Sequence, residues 1–123
     1  TDSIIAGTDK LSAAISAANT CDVIVLKAGN YPESSSITIN KNLTIKAAPG
    51  AEVTIKCANP IAIADNVSVK FIGVKFDATN LASGDHHVIR SSGTTGGNTL
   101  ILEDCEFYNF ANNSAVVSCL YLF

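Results

Sequence analysis

The sequence predicts an all-β fold: a right-handed, single-stranded parallel β-helix with three sheets, nearly four coils and an N-terminal capping α-helix. Three observations lead to this prediction. The 123 residues include 13 Ile and 9 Val but no Trp or Met, a bias towards residues that favour strands. Short segments with the two-residue period of a strand recur in a fixed order every 21 to 32 residues. Only one segment, near the N-terminus, has the period of a helix. Parallel crossovers are nearly always right-handed, which sets the hand of the winding.

The composition excludes several classes of protein. Lys plus Arg number 8 and Asp plus Glu number 11, so the net charge is −3, whereas a nucleic-acid-binding protein needs a basic face for phosphates. Hydrophobic residues make up 47% of the chain and charged residues 15%, which is not the composition of a disordered segment. No apolar run approaches the roughly 18 residues of a membrane span. We therefore expect neither a nucleic-acid partner nor a membrane span.

The helical pattern covers residues 8–19. Leu11 and Ile15 lie on its apolar face, and Thr8 or Asp9 is expected to cap its first turn. A solenoid has an open end at its first coil, where unpaired strand edges invite aggregation. We therefore predict that this helix lies over the first coil as its cap.

The strand segments fall into three series, each of which is predicted to stack into one parallel sheet. The series are, in order, 23–26, 53–56, 74–77 and 105–108; 36–39, 61–64, 87–90 and 115–118; and 43–47, 67–71 and 99–103. Like residues about 4.8 Å apart on stacked strands would fill the core as inward columns. The predicted columns are Val23, Val53, Val74 and Cys105; Val25, Ile55, Phe76 and Phe107; and Ile39, Ile63, Ile89 and Val117.

The whole chain, residues 1–123, is predicted to form one β-helix domain, with the cap at 8–19 and coils at 23–52, 53–73, 74–104 and 105–123. The fourth coil ends on the apolar stretch Leu120, Tyr121, Leu122 and Phe123 with no capping pattern after it. We therefore expect the chain to be the N-terminal part of a longer protein. We also expect the uncapped C-terminal coil to self-associate, because it would otherwise expose an apolar edge.

Two stretches of the chain resemble a known class. Residues 11–55 contain Leu-x3-Ile, then Cys-Asp-Val-Ile-Val-Leu-Lys-Ala-Gly-Asn-Tyr, then Ile-Thr-Ile-Asn-Lys-Asn-Leu-Thr-Ile-Lys-Ala. This run resembles the opening of pectin-lyase-like right-handed parallel β-helix proteins, including the chondroitinase B and alginate lyase branch. Residues 102–110, Leu-Glu-Asp-Cys-Glu-Phe-Tyr-Asn-Phe, resemble a rung common in uncharacterised exported β-helix domains of gut Bacteroidota. The resemblance implies an exported protein (periplasmic, cell-surface or secreted) and a polysaccharide as its partner.

The resemblance assigns no catalytic residue to this chain. In the chondroitinase B and alginate lyase branch, a Lys and an Arg act beside a calcium ion that Asn and Glu ligands hold, on later coils. No segment here matches that motif. The resemblance therefore implies no cofactor in these 123 residues, and calcium only in a longer protein.

The outward face of the first series carries the candidate site, because pectin-lyase-like enzymes place theirs on that face. The catalytic candidates are Lys56, Lys75, Glu106 and Tyr108, and Asp77 is a ligand-binding candidate. Stacking puts Lys56 over Asp77 and Lys75 over Glu106, and exposed pairs of this kind contribute only about 0–1 kcal/mol. We interpret the face as ordinary surface with compensated charges.

A second polar cluster consists of His86 and Arg90, both ligand-binding candidates, with Asp85 and His87 beside them. Adjacent residues on a strand point to opposite faces, so His86 and His87 do not easily share one metal ion. His86 and Arg90 are expected to point outward, and His87 inward. No metal site is predicted here.

The remaining acidic residues suggest one alternative. Glu103, Asp104, Glu106 and Asp77 would form an acidic patch for calcium, although their spacing is not that of a calcium-binding loop. We favour an ordinary acidic turn.

The cysteines leave two interpretations open. Cys21, Cys57, Cys105 and Cys119 include no Cys-x-x-Cys pair, and in an exported protein four cysteines allow two bridges in three connectivities. Cys105 falls in an inward column, where a free thiol acts as a small apolar side chain. We favour unpaired, buried thiols.

Two functions remain for the chain. The first is a non-catalytic scaffold or glycan-associated module of an exported or surface polysaccharide-utilisation protein. The alternative is the N-terminal portion of a polysaccharide lyase or hydrolase acting on uronate-containing glycans, with its catalytic residues beyond this chain. We prefer the first, because the charges on the face compensate each other and leave no isolated acid/base pair for catalysis.

Overall fold

The computed structural model describes residues 2–81, 88–92, 95–109 and 120–121. The elements are β1 Asp2–Ile4, α1 Lys10–Ala17, β2 Asp22–Leu26, β3 Gly29–Glu33, β4 Ile37–Ile39, β5 Leu43–Ala47, β6 Val53–Cys57, β7 Ile61–Ile63, β8 Ser68–Ile72, β9 Val74–Asp77, β10 Ile89–Ser91, β11 Thr99–Glu103, β12 Glu106–Tyr108 and β13 Leu120–Tyr121. No helix in these ranges is long and apolar enough to cross a membrane.

The strands form three parallel sheets. Sheet A has the order β1-β2-β5-β8-β11, sheet B the order β3-β6-β9-β12, and sheet C the order β4-β7-β10-β13. The chain visits the sheets in the same order on each circuit, so each strand pairs with its equivalent one circuit later. The predicted all-β parallel β-helix is confirmed.

The predicted place of segment 23–26 is wrong. The strand β2 pairs with β5, so it belongs to sheet A rather than to the sheet of β6 and β9. Sheet B begins instead with β3, whose Gly29 and Pro32 are typical of a turn and hid the strand. The shift exchanges the faces of β2: Ile24 and Leu26 are buried, and the two valines, Val23 and Val25, are only half-buried.

In sheet C the predicted register is right between β4 and β7, where Ile39 lies opposite Ile63, and wrong by two residues between β7 and β10. Ile89 lies opposite Ile61, and Ser91 lies opposite Ile63. A shift of two residues keeps every side chain on the same face, so alternation cannot detect it. Strand β13 follows the predicted segment 115–118, and Val117 of the predicted column lies outside the described residues.

Columns of large apolar side chains fill the interior. In sheet B, the column contains Tyr31, Ile55, Phe76 and Phe107 in successive strands. The rings of Phe76 and Phe107 stack at 4.8 Å between centroids, and Phe71 of sheet A meets Phe76 edge-on at 5.1 Å. Side chains alternate along each strand, so the residues next to these buried members point outward.

Helix α1 covers the first coil as predicted, but its capping differs. Asp9 is the N-cap residue, but its side chain makes no capping hydrogen bond; it has a φ of 57° and its carboxylate accepts hydrogen bonds from Ser34 instead. The carboxylate of Glu33 takes the capping position and accepts from the backbone N–H groups of Leu11 at 3.3 Å and Ser12 at 2.9 Å. Such a cap comes from a distant strand and leaves no local sequence pattern.

Candidate functional site

The outward face of sheet B brings five candidate residues together. Its side chains alternate with the buried column and form two outward columns, which we call the sheet B face. The columns are Asn30, Thr54, Lys75 and Glu106, and Pro32, Lys56, Asp77 and Tyr108. The predicted stacking of Lys56 over Asp77 and of Lys75 over Glu106 matches the strand register.

Lys75 has a different partner from the one expected. Its Nζ atom forms an ion pair with Glu52, which lies just before β6, rather than with Glu106. The hydrogen bond and the charge of Glu52 raise the pKa of Lys75, with smaller contributions from Glu106 and Tyr108. The same contact lowers the pKa of Glu52. Lys75 therefore stays protonated at neutral pH and holds no free electron pair for a proton.

Asp77 is buried, with 6% of its surface exposed, although the sequence predicts an exposed member of a surface pair. Its Oδ1 atom accepts from the backbone N–H of Thr79 and from Nδ2 of Asn109, both at 2.9 Å, and Lys56 Nζ lies 3.9 Å from Oδ2. Partial burial raises the pKa of Asp77, but the bonds from Thr79 and Asn109 outweigh it and the pKa falls below its usual value. Asp77 is thus an ionised carboxylate that holds two turns in place.

The turn residues around Asp77 and Lys75 were not predictable from strand periodicity. Glu52 and Asn109 both lie in turns, where no two-residue period operates. Asn109 has a φ of 65°, which folds its amide back over the end of β9. Asparagine tolerates this left-handed conformation better than most residues, which is the one signal its position carries.

Glu106 and Tyr108 are exposed members of the face, as is Asn30, and the exposed fraction of Tyr108 is 36%. Both belong to β12, the last strand of sheet B among the described residues. The face therefore changes along its length, from paired charges on β6 and β9 to solvent-facing polar groups on β12.

Comparison with known proteins supports a fold class and not a single family. No protein-family model matches the chain, and no curated protein matches it. Among solved structures, the PL6 family alginate lyase AlyGC superimposes with a TM-score of 0.77 and 30% identity, over 89% of this chain and 16% of that chain. This chain is a pectin-lyase-like parallel β-helix. An arginine-to-alanine variant of the same enzyme gives a TM-score of 0.75 and 28% identity, over 85% of this chain and 15% of that chain.

Of the two other ligand-binding candidates, the structure describes only Arg90, which lies away from the sheet B face. Arg90 is exposed on β10 of sheet C, a different face of the solenoid. His86, with Asp85 and His87, lies outside the described residues.

The acidic residues do not converge on a metal site in the ranges that the structure describes. Glu103 forms an ion pair with Lys70 at 3.1 Å on sheet A, and Asp77 accepts a hydrogen bond from the side chain of Asn109. No group of three or more His, Cys, Asp or Glu side chains in those ranges is arranged to hold a metal ion.

Three cysteines of the β-helix are free thiols: Cys21, Cys57 and Cys105. The expectation of burial is right for Cys57 and wrong for Cys21, which is exposed in a turn with a φ of 70°. Burial, together with the neighbouring charge of Glu33, raises the pKa of Cys57 to about 12. Cys119 lies outside the described residues.

Proposed function

We propose that this chain is a non-catalytic scaffold or glycan-associated segment of an exported, polysaccharide-active β-helix protein. The observation that carries the proposal is the compensation of charge on the sheet B face. Lys75 is paired with Glu52, and Lys56 lies 3.9 Å from Asp77. Export and a polysaccharide partner are part of the proposal, and the likeness to an alginate lyase supports both.

The chemistry of uronate cleavage explains why the compensation of charge on the sheet B face argues against catalysis. A lyase needs a base that removes the proton next to the carboxylate, and a preorganised cation that stabilises the charge developing there. Because its pKa is raised, the amine of Lys75 stays protonated and does not act as a base. Its positive charge is already paired with Glu52 and is not available to stabilise the transition state. Asp77 is committed to the turns of Thr79 and Asn109. The face can offer hydrogen bonds to a glycan, but these residues supply neither catalytic group.

A second candidate function rests on the identity with the alginate lyase. At 30% identity over 89% of this chain, the β-helix would be one part of a polysaccharide lyase whose catalytic groups lie on other coils. It spans 16% of the length of that enzyme, which leaves ample room for them. In this case calcium would bind on those other coils, and these residues would bind none.

We also propose that the β-helix self-associates at its uncapped C-terminal end, with a second copy as the partner and with β11, the last strand of sheet A among the described residues, in the contact. Ile101 of β11 is 46% exposed, and Leu100 and Leu102 are half-buried. Antiparallel pairing of two β11 strands centred on Ile101 would place Thr99 opposite Glu103, which avoids like charges across the contact. Sedimentation of wild type and Ile101→Lys tests this: a wild-type dimer and a monomeric variant are expected, and a wild-type monomer at tens of micromolar contradicts it.

The assay for the main proposal follows unsaturated uronate products by ultraviolet absorbance. The chain is incubated with alginate, pectate and chondroitin, with calcium and with a chelator. We expect no turnover, and retardation in gels that contain a bound polysaccharide. Turnover that Lys75→Ala abolishes and Lys27→Ala leaves intact would refute the non-catalytic function. Turnover only when further coils are added, with no binding by this chain alone, would favour the second candidate.

A further inference from the structure

Helix α1 is held at both ends by side chains of the first coil. At its N-terminus, the carboxylate of Glu33 accepts from the N–H groups of Leu11 and Ser12 at 3.3 and 2.9 Å. At its C-terminus, Nζ of Lys41 donates to the carbonyl oxygens of Ile15, Ser16 and Ala18 at 3.0, 3.1 and 2.5 Å. We call these two sets of contacts the end clamps.

The signs of the two clamps match the polarity of the helix. The first N–H groups and last carbonyl groups of a helix lack partners within it, and they carry partial positive and partial negative charge. Glu33 offers an acceptor to the positive end, and Lys41 an ammonium group to the negative end. Both come from outside the helix, from β3 and from the turn between β4 and β5.

The helix cannot be stable without its contacts to the coils. It has 8 residues, whereas isolated helices shorter than about 12 to 15 residues are marginal in water. Only Leu11 and Ile15 on it are buried, so its apolar anchor is small. Its order therefore depends on the clamps as well as on this anchor.

The clamps close the helix over a strand edge. The N–H of Asp9, which precedes the helix, donates to the carbonyl of Pro32 on β3 at 2.8 Å. β3 is the first strand of sheet B, and Pro32 offers no N–H group. Without the helix, this edge would be a place where another strand adds.

We propose that α1 is a lid that opens and closes as one unit, latched at its two ends by Glu33 and Lys41, while the coils stay folded. The lid guards the open edge of β3. Local units that open below the global unfolding free energy are common, and they are drawn from regions with few buried contacts. The coils beneath are held by sheets and by a continuous apolar core, so the two parts differ in local stability.

Hydrogen exchange of the full chain, followed residue by residue by NMR, tests the lid. The reporters are the amides of Ala13 and Ala18, which bond the carbonyls of Asp9 and Ala14. In the wild type, these amides should exchange faster than those of β5 and β8. In Lys41→Met they should exchange about tenfold faster still, as expected for losing bonds from a charged group, while the strands stay unchanged. The matched control is Lys27→Met, an exposed lysine outside the clamps, which should change neither set.

The second clamp gives an independent arm. Glu33→Ala should accelerate α1 exchange, and Glu33→Gln, which keeps one acceptor oxygen in the same place, should accelerate it less. If Glu33→Ala does not fold, Lys41→Met and Glu33→Gln still decide the question. Equal exchange rates in α1 and the central strands of the wild type, or equal acceleration of both in Lys41→Met, would overturn the proposal, because the helix would then open only with the whole molecule.

Discussion

Replacing Phe76 by alanine should remove one of the largest fully buried side chains of the described coils. Phe76 is fully buried at the centre of a ring cluster, with Phe107 stacked on it at 4.8 Å and Phe71 edge-on at 5.1 Å. It joins sheet B to sheet A and one coil to the next. Its truncation therefore loosens contacts in two directions at once.

The expected loss can be worked from these contacts. Truncating a buried phenylalanine to alanine costs about 3–5 kcal/mol, through lost transfer energy and the cavity left behind. Phe76→Leu keeps most of the volume but loses both ring contacts, each of which contributes about 0.5–1.5 kcal/mol, so it should cost about 1–3 kcal/mol. A domain of this size has a free energy of unfolding of about 5–15 kcal/mol. Phe76→Ala should therefore remove a large fraction of it.

Urea unfolding, followed by circular dichroism, measures both variants. The midpoint should fall with little change in the slope, because the surface exposed on unfolding stays nearly the same. Phe107→Ala is the matched control: this ring is half-buried and has one of the two contacts, so its loss should be clearly smaller. A cost below about 1 kcal/mol for Phe76→Ala, or a cost equal to that of Phe107→Ala, would refute the reasoning.

Three further predictions concern backbone, pH and thiol reactivity. Gly29→Ala should lower the free energy of unfolding more than Gly50→Ala. At Gly29, with a φ of 134°, the new Cβ would lie 2.5 Å from the Cβ of Ala6, whereas at Gly50 it would meet no atom within 4 Å. Equal losses in thermal unfolding would contradict this. Burial raises the pKa of Glu33, so the part of its contribution to stability that comes from protonation is fully present below the ordinary glutamate pKa and is lost as pH rises through the raised value. The stability of wild type relative to Glu33→Gln should therefore increase on acidification, and a difference independent of pH would count against it. Iodoacetamide should modify exposed Cys21 far faster than buried Cys57, whose pKa is about 12, as mass spectrometry of digests would show; comparable rates in the folded protein would be inconsistent with this burial.

The fold could be predicted from the sequence because parallel stacking requires apolar residues at the same strand positions on each circuit. Columns such as Ile55, Phe76 and Phe107 are visible as spaced apolar residues, and they led to the right sheet. The first circuit departs from the pattern because β3 begins at Gly29 and contains Pro32, residues that an edge strand tolerates. Periodicity detects the repeat and misses its irregular first member.

The site was predictable only to the level of strand register. The pairing of Lys56 with Asp77 follows from alternation and stacking. The partner of Lys75 and the burial of Asp77 depend on turns, whose conformation local sequence specifies weakly. Asn109, with its positive φ, shows the difference: its residue type permits the turn, and only the three-dimensional path brings its amide to Asp77.

Stacked coils impose a condition on any catalytic face of a parallel β-helix. Each outward side chain lies about 4.8 Å in the strand-pairing direction from its equivalents on the neighbouring coils, so a column of charged residues either repels or compensates. On the sheet B face Lys56 is followed by Asp77, which removes the repulsion and also removes the unpaired charge that catalysis needs. Lys56 Nζ lies 3.9 Å from a carboxylate that Thr79 and Asn109 already hold, so avoiding like charges explains the arrangement better than the stability of an ion pair does. A lysine on such a face is free to react only where the neighbouring coils place no carboxylate beside it. Beside Lys75, the turn before β6 places the carboxylate of Glu52.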